Sequence, residues 1–181
     1  MKIYLVGFMG AGKTSVGKAL AGSLSWPFFD LDELIEASES LAVKEIFSTL
    51  GEPHFRKRER EILQTTRHLE HGVIATGGGT FTFDENMMFV RSEGFSIFLN
   101  PPFALLARRV EEKKDERPMF RDEMQARELY QQRLRSYKMA DLTLDIREED
   151  TVTELVARLL LDLPRDVFDA RGAGSHRIPK I

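Results

Sequence analysis

The sequence predicts a three-layer α/β/α domain built on a five-stranded parallel sheet. Three observations predict it. Short, unbroken apolar runs recur along the chain, as in strands buried on both faces. Segments with helical spacing of apolar residues separate these runs, and strict alternation of the two implies a parallel sheet covered by helices. A glycine-rich turn joins the first run directly to the first helical segment.

The strands are expected at Ile3-Tyr4-Leu5-Val6, Phe28-Phe29, Val73-Ile74-Ala75, Phe95-Ser96-Ile97-Phe98-Leu99 and Leu142-Thr143-Leu144. The first helix occupies 12–24, after the glycine-rich turn. Two short helices follow at 32–38 and 43–50. A longer one spans 53–70, opened by Pro53, a favoured first helical residue. It sets Phe55, Glu59, Ile62, Leu63, Thr66 and Leu69 on one stripe. Pro101-Pro102 introduces a helix to about Glu112. Further helices are expected at 121–138 and 151–162, the latter with Val152, Leu155, Val156, Leu159 and Leu160 at helical spacing. Residues 1–162 form one domain, consistent with the length of 181 residues. Residues 163–181 hold Pro164, Gly172, Gly174 and Pro179 with little apolar periodicity, and are expected to form a poorly ordered tail.

Composition excludes several classes. The chain is 42% apolar and 30% charged, which is globular. No apolar run nears the ~20 residues of a membrane span. The first ten residues lack a basic region and cleavage site, so no secretory leader is expected. With no cysteine, disulfides, Cys-ligated zinc, iron–sulfur clusters and thiol catalysis are excluded. The net charge of −3 argues against nucleic-acid binding. The expectation is a cytoplasmic monomer. Locally, residues 53–72 sum to +2 and 101–138 to +3. These are either solvated helix faces or two arginine-bearing walls around one small anion.

Gly7-Phe8-Met9-Gly10-Ala11-Gly12-Lys13-Thr14 matches GxxxxGK[ST] at every fixed position, between a predicted strand and a predicted helix. Successive backbone N–H groups of such a loop form an anion nest, and the following helix turns its positive end on the same place. Lys13 can reach the β- and γ-phosphates. The Thr14 hydroxyl can join the shell of a Mg²⁺ that keeps phosphate oxygens and water. In Asp30-Leu31-Asp32 two carboxylates end the second strand, at the sheet edge where ligands bind. One can position Mg²⁺ through water and the other can take a hydrogen bond from an acceptor hydroxyl; alternatively, Asp32 only caps the next helix.

Arg56 and Lys57 sit in the first turn of the 53–70 helix, where cations oppose the macrodipole. A ligand carboxylate would explain Arg56, as would ion pairs within the helix. For Arg58 and Arg60 the helix pairs are the preferred reading. Gly77-Gly78-Gly79 follows the third strand and suits close contact between backbone and ligand. The charged stretch from Arg108-Arg109 to Arg117-Pro118 has few apolar residues to bury and is expected to move as a lid over about 109–120. Arg133 and Tyr137 share a helix face. Arg135, Lys138 and the four histidines receive no role.

In this order the motifs resemble the shikimate kinase family, from about Lys2 to Leu161. The resemblance is carried by the phosphate loop at 7–14, Phe29-Asp30-Leu31-Asp32, Ile46-Phe47, Gly51-Glu52, Phe55-Arg56, the glycines 77–79, Arg117-Pro118, and Arg133 with Tyr137. It implies a P-loop kinase fold of the nucleoside-monophosphate-kinase type and transfer of the ATP γ-phosphate to the 3-hydroxyl of shikimate, in chorismate and aromatic amino-acid biosynthesis. It further implies that Gly10, Ala11, Gly12, Lys13, Thr14 and Ser15 bind ATP phosphates, with Arg109 at the adenine and Arg117 on the lid. Thr14 would ligate one Mg²⁺, with Asp30 one water away. Asp32, Arg56, Gly77, Gly78, Gly79 and Arg133 would bind shikimate, and Lys13, Asp32 and Arg117 would act catalytically. Arg135 departs from the pattern, which commonly has Pro there. The competing readings are another small-metabolite kinase of the same fold, acting on gluconate or a nucleoside monophosphate, and a catalytically silent nucleotide-binding module.

Overall fold

The computed structural model describes residues 1–111 and 123–165. The five strands are β1 (Lys2–Val6), β2 (Phe28–Asp30), β3 (Gly72–Ala75), β4 (Phe95–Asn100) and β5 (Leu142–Asp145). They form one parallel sheet in the order β2-β3-β1-β4-β5. Between them run α1 (Lys13–Leu24), α2 (Leu31–Glu39), α3 (Val43–Thr49), α4 (Gly51–Thr65), α5 (Asp84–Glu93), α6 (Phe103–Glu111) and α7 (Glu123–Tyr137), and α8 (Val152–Asp162) closes the described chain. The predicted three-layer α/β/α architecture is the observed one.

The sheet is held by what its strands bury. Ile3, Tyr4, Leu5 and Val6 on the central β1 are fully buried, as are Val73 and Ile74 beside them and Ile97 and Leu99 on the other side. Such double-sided burial needs cover on each face, which the helices supply. On α1 the buried residues are Val16, Gly17, Leu20, Ala21 and Leu24, one helical stripe. Gly17 is there because nothing larger fits: a Cβ would stand 2.4 Å from the Phe28 ring and 3.0 Å from Leu5. α8 lays Leu155, Val156 and Leu159 inward against α1. Its start is set by Thr151, whose hydroxyl accepts from the Glu154 N–H while the Glu154 carboxylate accepts from the Thr151 N–H.

Two elements and one residue differ from expectation. α5 has no counterpart in the sequence reading, because it buries only Asn86 and Val90 and so shows no apolar stripe. Its acidic first turn, Asp84 and Glu85, and Arg91 in its last turn are the signal that could have found it. α4 opens at Gly51, two residues before Pro53, which falls in the first turn where its missing N–H is not needed. Leu163, expected in the tail, is buried in the core and its N–H reaches the Leu159 carbonyl at 2.9 Å. Residues 112–120 of the expected lid and residues 166–181 lie outside the described residues. Among the described residues no helix is long and apolar enough to cross a membrane.

Candidate active site

The strand order places the site. β1 has β3 on one side and β4 on the other, while the chain visits β2 in between. The connection leaving β1 runs toward β2 and the one leaving β3 runs the other way to β4, so a crevice opens at the carboxyl ends of these two adjacent strands. In this structure the crevice is a cleft of about 820 Å³. It is lined by the glycine-rich turn, the ends of β2 and β3, residues of α2, α3, α4 and α8, and single residues of α6 and α7.

The turn after β1 has the geometry that phosphate binding requires. Gly10 (φ 80°) and Gly12 (φ 93°) are left-handed, a conformation that side chains resist. Gly12 caps α1 with no side chain of its own, so the positive end of α1 faces the cleft. The Lys13 ammonium donates to the carbonyls of Gly7 (2.8 Å) and Phe8 (3.0 Å), which fold it back over the turn. Gly10 to Ser15 all line the cleft, as does Arg109, which donates to the Gly10 carbonyl at 3.2 Å. Asp150, Val152 and Leu155 complete this wall. The sequence reading did not single them out for it.

Asp30 and Asp32 separate into two jobs. Asp30 is the cap of α2: its carboxylate accepts from the Asp32 N–H at 3.1 Å and from the Thr14 hydroxyl at 2.7 Å. The capping role that the sequence allows for Asp32 thus belongs to Asp30, and both residues line the cleft. Because Thr14 donates to Asp30, the lone pairs of its hydroxyl oxygen remain available to a cation. Among the described residues no cluster of three or more His, Asp or Glu could hold a metal. A cation here would draw most ligands from phosphate and water, which is how Mg²⁺ is commonly held. Thr14 and Asp30 fit that ion.

Burial pushes the Asp32 carboxyl up to about 6, with Asp30 and Glu59 adding to the shift and Lys13 opposing it. A carboxyl that titrates near neutrality inside a cleft is suited to proton transfer.

The opposite wall carries the arginines. Arg56 is half-buried on α4 and contacts three rings, those of Phe55 (5.1 Å), Phe83 (5.5 Å) and Phe47 (5.9 Å). It is paired within its own helix, to Glu59 at 2.8 Å and to Glu52 at 3.1 Å. Ion pairs along the helix therefore account for its stability, and an absent ligand is not required to explain it. Burial disfavours its charge, but Glu59 and Glu52 more than offset that and hold it above the ordinary arginine value. Arg58 and Arg60 face away, toward Glu39 and Glu61 and toward Glu85. Arg133 enters from α7, its guanidinium 5.9 Å from the Phe8 ring centroid. α7 runs unbroken through the exposed Arg135, so the missing proline leaves the helix intact.

The glycines 77–79 serve the side chains as much as any ligand. A Cβ on Gly77 would stand 2.5 Å from Glu59 Oε1, and one on Gly79 would stand 2.8 Å from Arg56 Nη2. One on Gly78 would lie 3.6 Å from Arg133 Nη1, and the Gly78 carbonyl accepts from the Tyr137 hydroxyl. Burial pushes that phenol up to about 12, so it stays a donor. Glu59 is a further cleft residue that the sequence does not assign to the site. It was placed on the apolar stripe of α4, and an acid on such a stripe was itself the signal. Its side chain is fully buried beneath Arg56. Arg117 lies outside the described residues.

The family profile described as shikimate kinase matches residues 9–164. The chain belongs to the shikimate kinase family. A shikimate kinase of Thermosynechococcus vestitus is 40% identical over 165 residues, covering 90% of this chain and 89% of that one. One of Aquifex aeolicus is 37% identical, covering 90% and 96%. Among solved structures, shikimate kinase from Acinetobacter baumannii in complex with shikimate superimposes with a TM-score of 0.84 at 32% identity, covering 95% of each chain. The P-loop kinase fold and the phosphotransferase class expected from the motifs are those of this family.

Proposed function

We propose that the protein transfers the γ-phosphoryl group of ATP to the 3-hydroxyl of shikimate, giving shikimate 3-phosphate and ADP in the pathway to chorismate. The observation that carries the reading is the joining of two anion sites in one cleft. A nucleotide-phosphate loop lies on one wall, and two arginines suited to a carboxylate, Arg56 and Arg133, lie on another.

Phosphoryl transfer asks mainly for positioning and charge stabilisation. The backbone of Gly10 to Ser15 and the end of α1 hold the phosphates, with Arg109 beside the base. Lys13 leaves the Gly7 and Phe8 carbonyls for the transferring group. Arg117, outside the described residues, would meet the same group, as the family resemblance implies. Arg56 and Arg133 grip the shikimate carboxylate, and the backbone at 77–79 lies against the ring. Arg56 keeps Glu59 and releases the exposed Glu52 to make room. Asp32 orients the 3-hydroxyl and accepts its proton as the new P–O bond forms. Thr14, with Asp30 one water behind it, would hold a Mg²⁺. When bound, that ion neutralises phosphate charge. The assignment needs one chain and a cytoplasmic supply of ATP, and we take the enzyme to be a cytoplasmic monomer with no nucleic-acid or membrane partner.

The test is ADP release from Mg-ATP with and without shikimate, with gluconate and CMP as alternative acceptors. Turnover that requires shikimate and yields an acceptor phosphate supports the reading. Turnover with gluconate or CMP would replace the acceptor. ATP binding without any acceptor-dependent turnover would indicate a silent nucleotide-binding module.

A further inference from the structure

We infer that Thr80 is a positioning residue for acceptor binding, acting through Glu59 on Arg56; the inference rests on the proposed role of Arg56 as the shikimate carboxylate clamp. The buried carboxylate of Glu59 has each oxygen held by a different donor. Arg56 Nη1 donates to Oε2 at 2.8 Å, and the Thr80 hydroxyl donates to Oε1 at 2.6 Å. Thr80 and Glu59 are both fully buried. Thr80 is itself fixed from two sides. Its N–H donates to the Gly77 carbonyl at 3.2 Å, and its carbonyl accepts from the buried Asn86 Nδ2 at 3.1 Å. A continuous line of hydrogen bonds thus runs from α5 through the turn after β3 into α4 and ends at the guanidinium in the cleft.

This line decides which way Arg56 points. Arg56 has two carboxylates to choose between, the buried Glu59 and the half-exposed Glu52. Glu59 competes for it well only while its carboxylate is held in one orientation. The Thr80 hydroxyl does that at the far oxygen, where a bond to an ionised group is strong and directional. Without the hydroxyl, Oε1 becomes a buried acceptor lacking this donor, and Glu59 turns to find another. Arg56 then follows Glu59 or swings out to Glu52, and the acceptor meets a clamp that is no longer preformed. A residue acting only on acceptor placement changes KM for that substrate and leaves the chemical step alone.

The experiment compares Thr80→Val, which keeps the shape and removes the hydroxyl, with Thr80→Ser, which keeps the hydroxyl and removes the methyl. Steady-state kinetics are measured in each substrate, and thermal unfolding is followed alongside. The expected result for Thr80→Val is a rise of about tenfold in KM for shikimate, with kcat within about twofold and KM for ATP unchanged. Thr80→Ser should return KM for shikimate to near the wild-type value. If Thr80→Val does not fold, Thr80→Ala is read in the same way against Thr80→Ser. A hydroxyl-free variant that keeps the wild-type KM for shikimate overturns the inference. So does one that loses kcat while both KM values stay unchanged, because that is loss of folded enzyme. A wild-type protein without shikimate-dependent turnover would instead remove the underlying function, and this inference with it.

Discussion

Alanine in place of Gly79 would test the clamp without touching a charged residue. Gly79 has φ −101° and ψ −15°, which alanine adopts without strain. The backbone therefore has no reason to move. What changes is space. The new Cβ would stand 2.8 Å from Arg56 Nη2, 2.9 Å from Nη1 and 3.0 Å from Cζ. That is about 0.7 Å inside the ~3.5 Å at which carbon meets a neighbour comfortably. The obstruction is the far end of a flexible side chain, so the guanidinium yields and the fold does not. Hydrogen bonds to a charged group contribute about 1.5–3 kcal/mol. Displacing the clamp by most of an ångström forfeits much of that. The expected rise in KM for shikimate is then roughly 10- to 150-fold, with kcat and KM for ATP nearly unchanged. The assay is ADP release against shikimate concentration at saturating ATP, with unfolding midpoints measured in parallel. An unchanged KM for shikimate in a folded Gly79→Ala protein would refute the assignment of Arg56 to the acceptor carboxylate.

Other outcomes follow from the same geometry. Lys13→Ala should lower kcat about 10²- to 10³-fold with little effect on KM for shikimate, because Lys13 acts on the transferring charge; single-turnover rates check it. Asp32 binds its proton more tightly folded (about 6) than unfolded (3.8), so its contribution to stability falls as pH rises between those values. Asp32→Asn should therefore raise the unfolding midpoint by a few degrees at pH 7.5, with a gain that shrinks as pH drops through about 6, and should abolish most turnover; a gain that does not vary with pH would contradict this. Gly17→Ala forces a Cβ to 2.4 Å from the buried Phe28 ring and should cost about 1–3 kcal/mol of stability, read by denaturant unfolding, with both KM values unchanged in the folded fraction.

Much of this protein was legible along the chain. The inner strands β1, β3 and β4 are buried on both faces and so continuously apolar; the edge strands β2 and β5 are less buried but still carry short apolar runs, and alternation of all five with helices required parallel pairing. The phosphate loop was legible because its chemistry depends on backbone N–H groups and left-handed glycines, which are local requirements. Helix α5 showed no apolar stripe, since it buries two residues only, and just its charged end turns marked it. Which of Asp30 and Asp32 caps α2 was also hidden. On sequence grounds the cap falls to Asp32, and only the chain path at the end of β2 gives that task to Asp30 while both carboxylates line the cleft. The setting of Arg56 was decided by folding too. Pairing with Glu52 and Glu59 follows from helix spacing, but the direction of the guanidinium depends on Thr80, Gly79 and Phe83, which are 23 to 27 residues away in the sequence and reach it only once the turn after β3 packs against α4. Side-chain types and local backbone freedom are properties of the chain and can be read there. Which two residues meet, and in what orientation a buried charge is held, depends on long-range packing, and only the tertiary structure decides it.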